Sequence, residues 1–178
     1  MIKCYNEIED KIKNSISEVF WQTSVKKEFK NSVEQNTYYN VWLGYYLKYF
    51  PDYTFVEIQD NKIVSYIIGA PDARLFLSHE KDWIITSEEL FFDFKEYDYY
   101  APHFHINTLP LFQGNGYGKH LTNTFENYLK SLNKNSYHLV TLKGERNNQF
   151  YEKNNFVIKT TKLTTSAKEL IFYVKAVT

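Results

Sequence analysis

The chain has 178 residues, room for one sizeable domain with its own core and too little for two comfortable ones, so a single domain over residues 1–178 is expected. Lys plus Arg equals Asp plus Glu at 21 each, so no bulk field draws the protein to nucleic acid, an anionic membrane or an acidic partner, and a charged ligand must be held locally. The lone Cys4 excludes an internal disulfide and a cysteine-cluster metal site, and fits a reducing, cytoplasmic setting.

The N-terminal MIKCYNEIEDKIK mixes charges without an apolar segment, unlike a signal peptide, and no stretch has the length of uncharged apolar residues that a membrane span needs. Residues 2–5 are a candidate first strand. From Tyr5 to about Phe20, the residues Ile8, Ile12, Ile16 and Phe20 recur at helical spacing. Thr37 to Phe50 gives a second helical pattern through Val41, Tyr45 and Tyr46 or Leu47, and Pro51 ends it. Tyr53 to Ile58 and Lys62 to Ala70 are rich in β-branched and aromatic residues, and Asp60-Asn61 between them is turn chemistry, which predicts a β-hairpin.

Residues 71–101 are read as a helical excursion. Its aromatics Phe91, Phe92, Phe94, Tyr97, Tyr99 and Tyr100 are assigned to covering the sheet or a dimer interface, with lining an acceptor cleft as the alternative. After Pro102, HFHINTL alternates as a strand, with His103, His105, Asn107 and Leu109 on one side and Phe104, Ile106 and Thr108 on the other; Pro110 closes it. Beyond the glycines, Leu121, Phe125, Tyr128, Leu129 and Leu132 form an apolar helical stripe, with Lys119, Asn123, Glu126 and Lys130 opposite. YHLVTL (137–142) reads as a strand, NNQFYEK as a short helix, and FVIKTTKL and ELIFYVKA as a final pair of strands. This order describes a mixed α/β domain with one central sheet. Aromatic content of 19% has no accompanying basic stripe, so the rings are assigned to core and cleft wall and not to stacking on bases.

The stretch LPLFQGNGYGKH (109–120) holds three of the chain's six glycines between a strand and a helix. Such a junction binds anions. The helix's first amides lack internal partners, the dipole places partial positive charge there, and glycine lets a phosphate approach the backbone. The P-loop spacing fails, since His120 stands where a magnesium-binding hydroxyl is needed and Gln113 where the first glycine belongs. A dinucleotide-binding GxGxxG starting at Gly114 fails at Lys119.

Counted from Gln113, the run is Gln-x-x-Gly-x-Gly, through Gly116 and Gly118, and this resembles the pyrophosphate-binding motif of the GNAT superfamily of acetyl-CoA-dependent N-acyltransferases. FYEKNNF (150–156) resembles a second signature of that family. Residues 42–74 together with HFHINTLPLFQGNGYGKHL are similar to a bacterial subgroup related to the acetyltransferase-like domain found with some O-GlcNAcases. The resemblance implies a central, mostly antiparallel sheet with flanking helices, splayed between its fourth and fifth strands. It implies acetyl-CoA as co-substrate and no metal, with the pantetheine arm on backbone groups of Ile106, Asn107, Thr108 and Leu109. The pyrophosphate would lie on the amides of Gly114, Asn115, Gly116, Tyr117, Gly118 and Lys119, with Gln113 trimming the loop and the Lys119 charge at its rim.

Within that frame Tyr151 matches the family's general acid. His105 and His103 are the candidates for a base, His105 the preferred one; no carboxylate can be picked from Asp93, Glu96 and Asp98. Two positions depart from the pattern. Gly144 stands where the family often has a cofactor-contacting asparagine, a role that Asn147 or Asn148 could take, and Asn155 replaces a glycine while tolerating the same left-handed backbone. The implied activity is transfer of an acetyl group to a primary amine of a small molecule or peptide in a ternary complex. The alternative is a catalytically silent CoA-binding or interaction module, and a nucleotide-phosphate binder of another fold is a distant third. A homodimer is left open.

Overall fold

The computed structural model describes residues 1–75, 95–164 and 166–178. The helical excursion expected within 71–101, with Phe91, Phe92, Asp93 and Phe94, lies largely outside them; its described end is a 3-10 turn, Lys95–Asp98. Two compact units are distinguished: Met1–Ala70 with His105–Tyr128, and Pro71–Phe104 with Leu129–Thr178.

In the first unit the strands run in the order β1 (Ile2–Cys4), β2 (Thr54–Gln59), β3 (Lys62–Ala70) and then β4 (His103–Thr108), of which this unit holds residues 105–108. The β2–β3 hairpin turns on Asp60 and Asn61, at φ 48° and 58°, the pair of left-handed residues that a tight hairpin turn demands. β3 is buried at every residue after Lys62, as expected of a strand covered on both faces.

The single helix expected from Tyr5 to Phe20 is broken into a 3-10 turn (Tyr5–Glu7), α1 (Asp10–Lys13) and α2 (Ile16–Thr23). Ser15 is the reason. Its hydroxyl donates to the Ile12 carbonyl, which a continuous helix would bond with backbone, at 2.6 Å, and accepts from the Ile63 amide of β3 at 2.9 Å. The second helix starts earlier than its apolar pattern, because Asn31 caps it by accepting from the Glu34 amide: α3 spans Ser32–Tyr39. A π-helical turn, Asn40–Gly44, joins it to α4 (Tyr45–Tyr49), and Pro51 follows. Ile16, Val19, Leu43, Tyr45, Tyr46, Tyr66 and Ile67 are the fully buried centre of this unit.

α5 spans Tyr117–Ser131, with Leu121, Phe125 and Leu129 at 0% exposure. Glu126, expected on the solvent side, is buried at 8% exposure, and Thr122 is buried too: the covered arc is wider than the apolar stripe and takes in the neighbours of Phe125 and Leu121. Leu132 falls outside it because the helix ends at Ser131 and Asn133 turns left-handed at φ 55°.

The second unit carries His103 and Phe104 of β4, then β5 (Ser136–Leu142), β7 (Glu169–Ala176) and β6 (Val157–Leu163) in that strand order. β5–β7 and β6–β7 are antiparallel, whereas β4–β5 is parallel and registers at one pair, His103↔His138. α6 (Asn147–Lys153) precedes Asn155, whose φ of 65° is the left-handed backbone expected where the family pattern has glycine. Seven strands, mostly antiparallel with one parallel pair, and flanking helices make the mixed α/β fold that the element order predicts. No helix among the described residues is long and apolar enough to cross a membrane.

Candidate functional site

β4 decides which backbone groups can meet a ligand. The Pro102 carbonyl accepts from the His138 amide and the Leu109 amide donates to the Val64 carbonyl, both at 2.9 Å. Successive residues of a strand point their backbone groups to opposite edges. His105, Asn107 and Leu109 therefore address β3, and Phe104, Ile106 and Thr108 address the other edge. The Ser65 hydroxyl confirms the parity, donating to the Asn107 carbonyl at 2.9 Å from the β3 side. Of the four residues named for a strand-pairing ligand, Ile106 and Thr108 have the outward groups, and the Leu109 amide is committed to Val64.

The loop after β4 is held in shape by side chains. Gln113 Nε2 donates to the Thr108 carbonyl at 3.1 Å and Asn115 Nδ2 to the Phe112 carbonyl at 3.2 Å. Gly114 and Gly116 have φ of +83° and +81°, where a side chain is strained. A Cβ on Gly116 would stand 3.9 Å from the His120 ring, an ordinary contact, so backbone conformation and not space requires glycine there. α5 opens immediately afterwards at Tyr117, and its dipole aims partial positive charge into the loop. Residues 113–116 and Lys119 are exposed, so an anion has access. Glycines in this conformation at the start of a 15-residue helix fit a diphosphate.

His105 packs between two rings of the π-turn region, edge-on to Trp42 and to Tyr46 with centroids 5.4 Å away in each case. Its Nε2 and the Tyr46 hydroxyl are 2.9 Å apart. Burial pushes the imidazole down to about 4, so it is neutral at physiological pH. His103, the other histidine of the strand, lies in the second unit, buried and stacked on His138 at 5.7 Å.

Tyr151, at 4% exposure, packs in the second unit among Phe104, Phe156 and Tyr173 with centroids at 6.4, 5.7 and 5.6 Å. Burial raises its phenol well above the ordinary range, and a hydrogen bond from the Asn147 side chain, one helical turn earlier, partly opposes this. Asn148 serves the loop before α6: its Oδ1 accepts from the Gly144 amide at 2.8 Å and its Nδ2 donates to the Leu142 carbonyl at 3.1 Å. Gly144 itself sits at φ +85°, in the left-handed region that favours glycine. Asn148→Ala removes both bonds at a buried position and is expected to destabilise the protein by about 2 kcal/mol, read as a lower urea midpoint at unchanged slope.

From sequence, Trp42 and Tyr46 carry no site role and Asn147 is a candidate only for a cofactor contact; its bond to Tyr151 is signalled by their i, i+4 relation. Among the described residues no group of three or more His, Cys, Asp or Glu could hold a metal ion.

The model of the acetyltransferase (GNAT) family matches residues 15–156. No curated protein matches the sequence. The crystal structure of SsHAT aligns over 100% of this chain and 98% of its own, with a TM-score of 0.75 at 16% identity. An aminoglycoside 6'-N-acetyltransferase complexed with coenzyme A aligns over 100% and 97%, with a TM-score of 0.68 at 12% identity. Ard1 from Thermoplasma volcanium aligns over 100% and 97%, with a TM-score of 0.63 at 16% identity. At these identities the likeness is one of fold.

Proposed function

Because this chain belongs to the acetyltransferase (GNAT) family, we propose that it moves an acetyl group from acetyl-CoA to a primary amine of a small molecule or peptide, by direct attack in a ternary complex. The observation that carries the cofactor half is the loop at Gly114 and Gly116, whose positive φ values open the helix α5 directly after β4. Its amides, from Gly114 to Lys119, take the diphosphate, and the outward backbone groups of Ile106 and Thr108 take the amides of the pantetheine arm by strand addition. Gln113 keeps the loop in register with the end of β4. Asn148 contributes through the loop it braces.

Acetyl-CoA supplies the thioester, and the amine nitrogen bonds to its carbonyl carbon as the carbon–sulfur bond breaks. Tyr151 is proposed to hydrogen-bond and protonate the departing sulfur. His105, pushed by burial from about 6.5 down to about 4, is suited to holding a hydrogen bond and not to storing a proton, so the ammonium proton leaves to water. We further assign the chain to the subgroup resembling the O-GlcNAcase-associated domain, as one acyltransferase domain over residues 1–178 working in the cytoplasm.

Isothermal titration with acetyl-CoA tests the reading, with a dissociation constant of about 1 µM to 1 mM expected. Gly116→Val, strained at φ +81°, is expected to weaken it at least about tenfold. Absence of binding at millimolar acetyl-CoA defeats the reading. Binding without thiol release over a panel of amines favours the silent module instead.

A further inference from the structure

Side chains fasten β3 to the last residues of β4. Ser65, fully buried on β3, donates its hydroxyl proton to the Asn107 carbonyl at 2.9 Å and lies 2.6 Å from the Thr108 hydroxyl. A serine has one proton to give and a carbonyl only accepts, so the Thr108 hydroxyl is the donor of the shorter bond. Asn107 Nδ2 donates to the Tyr66 hydroxyl at 2.8 Å, and the Leu109 amide donates to the Val64 carbonyl at 2.9 Å. Val64, Ser65 and Tyr66 thus grip Asn107, Thr108 and Leu109 from one side.

The Asn107 carbonyl and the Thr108 amide belong to one planar trans peptide unit, so they point in opposite directions. By holding the carbonyl toward β3, Ser65 holds the Thr108 amide toward the opposite edge, the one along which the pantetheine arm is proposed to lie. The bond to the carbonyl also polarises the peptide unit, which makes that amide a stronger donor. Thr108 is fixed from its other end too, because its carbonyl accepts from Gln113 Nε2 at 3.1 Å. With its hydroxyl and its carbonyl engaged, the amide is the group that Thr108 directs to the cofactor edge.

On the reading that this chain binds acetyl-CoA along β4, we propose that Ser65 is a positioning residue for that cofactor: through the Asn107–Thr108 peptide it aims the Thr108 amide at an amide carbonyl of the pantetheine arm. Fully buried, it acts only through β4.

Titration calorimetry and steady-state kinetics on Ser65→Ala test this. The substitution removes one oxygen and takes the partner from the Asn107 carbonyl and from the Thr108 hydroxyl. Acetyl-CoA is expected to bind about tenfold more weakly, with its KM raised by the same factor and kcat within about twofold of wild type. Thr108→Val keeps the shape of that side chain without its hydroxyl and is expected to weaken binding about fivefold; combined with Ser65→Ala it adds nothing further, since both act on one contact. A serine that only supported the fold would lower the urea midpoint and the fraction of protein able to bind, read as stoichiometry and apparent kcat, and would leave the dissociation constant of the folded molecules where it was. A dissociation constant within about twofold of wild type in Ser65→Ala overturns the proposal; should that variant not fold, the same result in Thr108→Val overturns it. Failure of the wild-type protein to bind acetyl-CoA defeats the broader reading, whereas wild-type binding with an unmoved constant in the variants leaves that reading standing and removes only this one.

Discussion

Tyr151→Phe is expected to lower kcat for acetyl transfer by about 100-fold to 10,000-fold while acetyl-CoA binding and the thermal midpoint stay near wild type. The substitution keeps the ring and its neighbours Phe104, Phe156 and Tyr173, so the buried cluster retains its packing. It removes one hydroxyl, and the Asn147 side chain that faced it is exposed and can turn to water. The proton chemistry explains the size. An ordinary thiol titrates near 8.5 and an ordinary phenol near 10, so complete transfer to a free thiolate is uphill by about 2 kcal/mol, and burial of Tyr151 adds to that. The phenol therefore stays protonated throughout the physiological range and acts most strongly as a hydrogen-bond donor to sulfur as charge develops there. Steady-state kinetics with titration calorimetry on the same variant checks this. A kcat within threefold of wild type makes Tyr151 a core residue and places the donor elsewhere.

The parts of this architecture that could be read from sequence are those fixed by local chemistry. Asp60-Asn61 needs nothing beyond its own backbone preference to make a turn, and the left-handed backbone at Asn155 was anticipated on the same ground. NNQFYEK coincides with α6, and the strand, glycine loop and helix from His103 to Ser131 lie where the motif implied. What escaped depended on packing and on partners that a motif does not record. The break at Ser15 needs the Ile63 amide to donate to its hydroxyl, and Glu126 is drawn inside by what α5 packs on, which no stripe of apolar letters records. Asn148 was nominated for the cofactor from its place in a motif, and both ends of its amide turn out to serve the loop at Gly144. The residue type of His105 suggests a base, and its basicity is governed by burial, in a place packed against Tyr46 and Trp42 some sixty residues earlier in the chain.

That environment makes His105 an acid-sensitive support of the fold. Its ring titrates near 6.5 when the chain is unfolded and near 4 when folded, so between these values the unfolded chain binds the extra proton. For a group whose folded basicity is depressed by burial, the stabilisation is whole above pH 6.5 and is lost as pH falls toward 4. The interval corresponds to at most about 3 kcal/mol, and the half-buried position of the ring reduces this to about 2 kcal/mol. His105→Gln keeps a polar group toward the Tyr46 hydroxyl and cannot titrate. Urea unfolding of the two proteins at steps between pH 7 and pH 4.5 is expected to show wild type losing about 1 to 2 kcal/mol more than the variant. Taking the difference cancels His103 and His138, which both proteins share. The carboxylates with lowered values, Asp72 and Glu34 among them, lose their contribution only below the ordinary carboxylate range, beneath the window measured. Parallel curves for the two proteins would show that His105 charges as readily in the folded state as in the unfolded one, and the imidazole would then return as a candidate for the base.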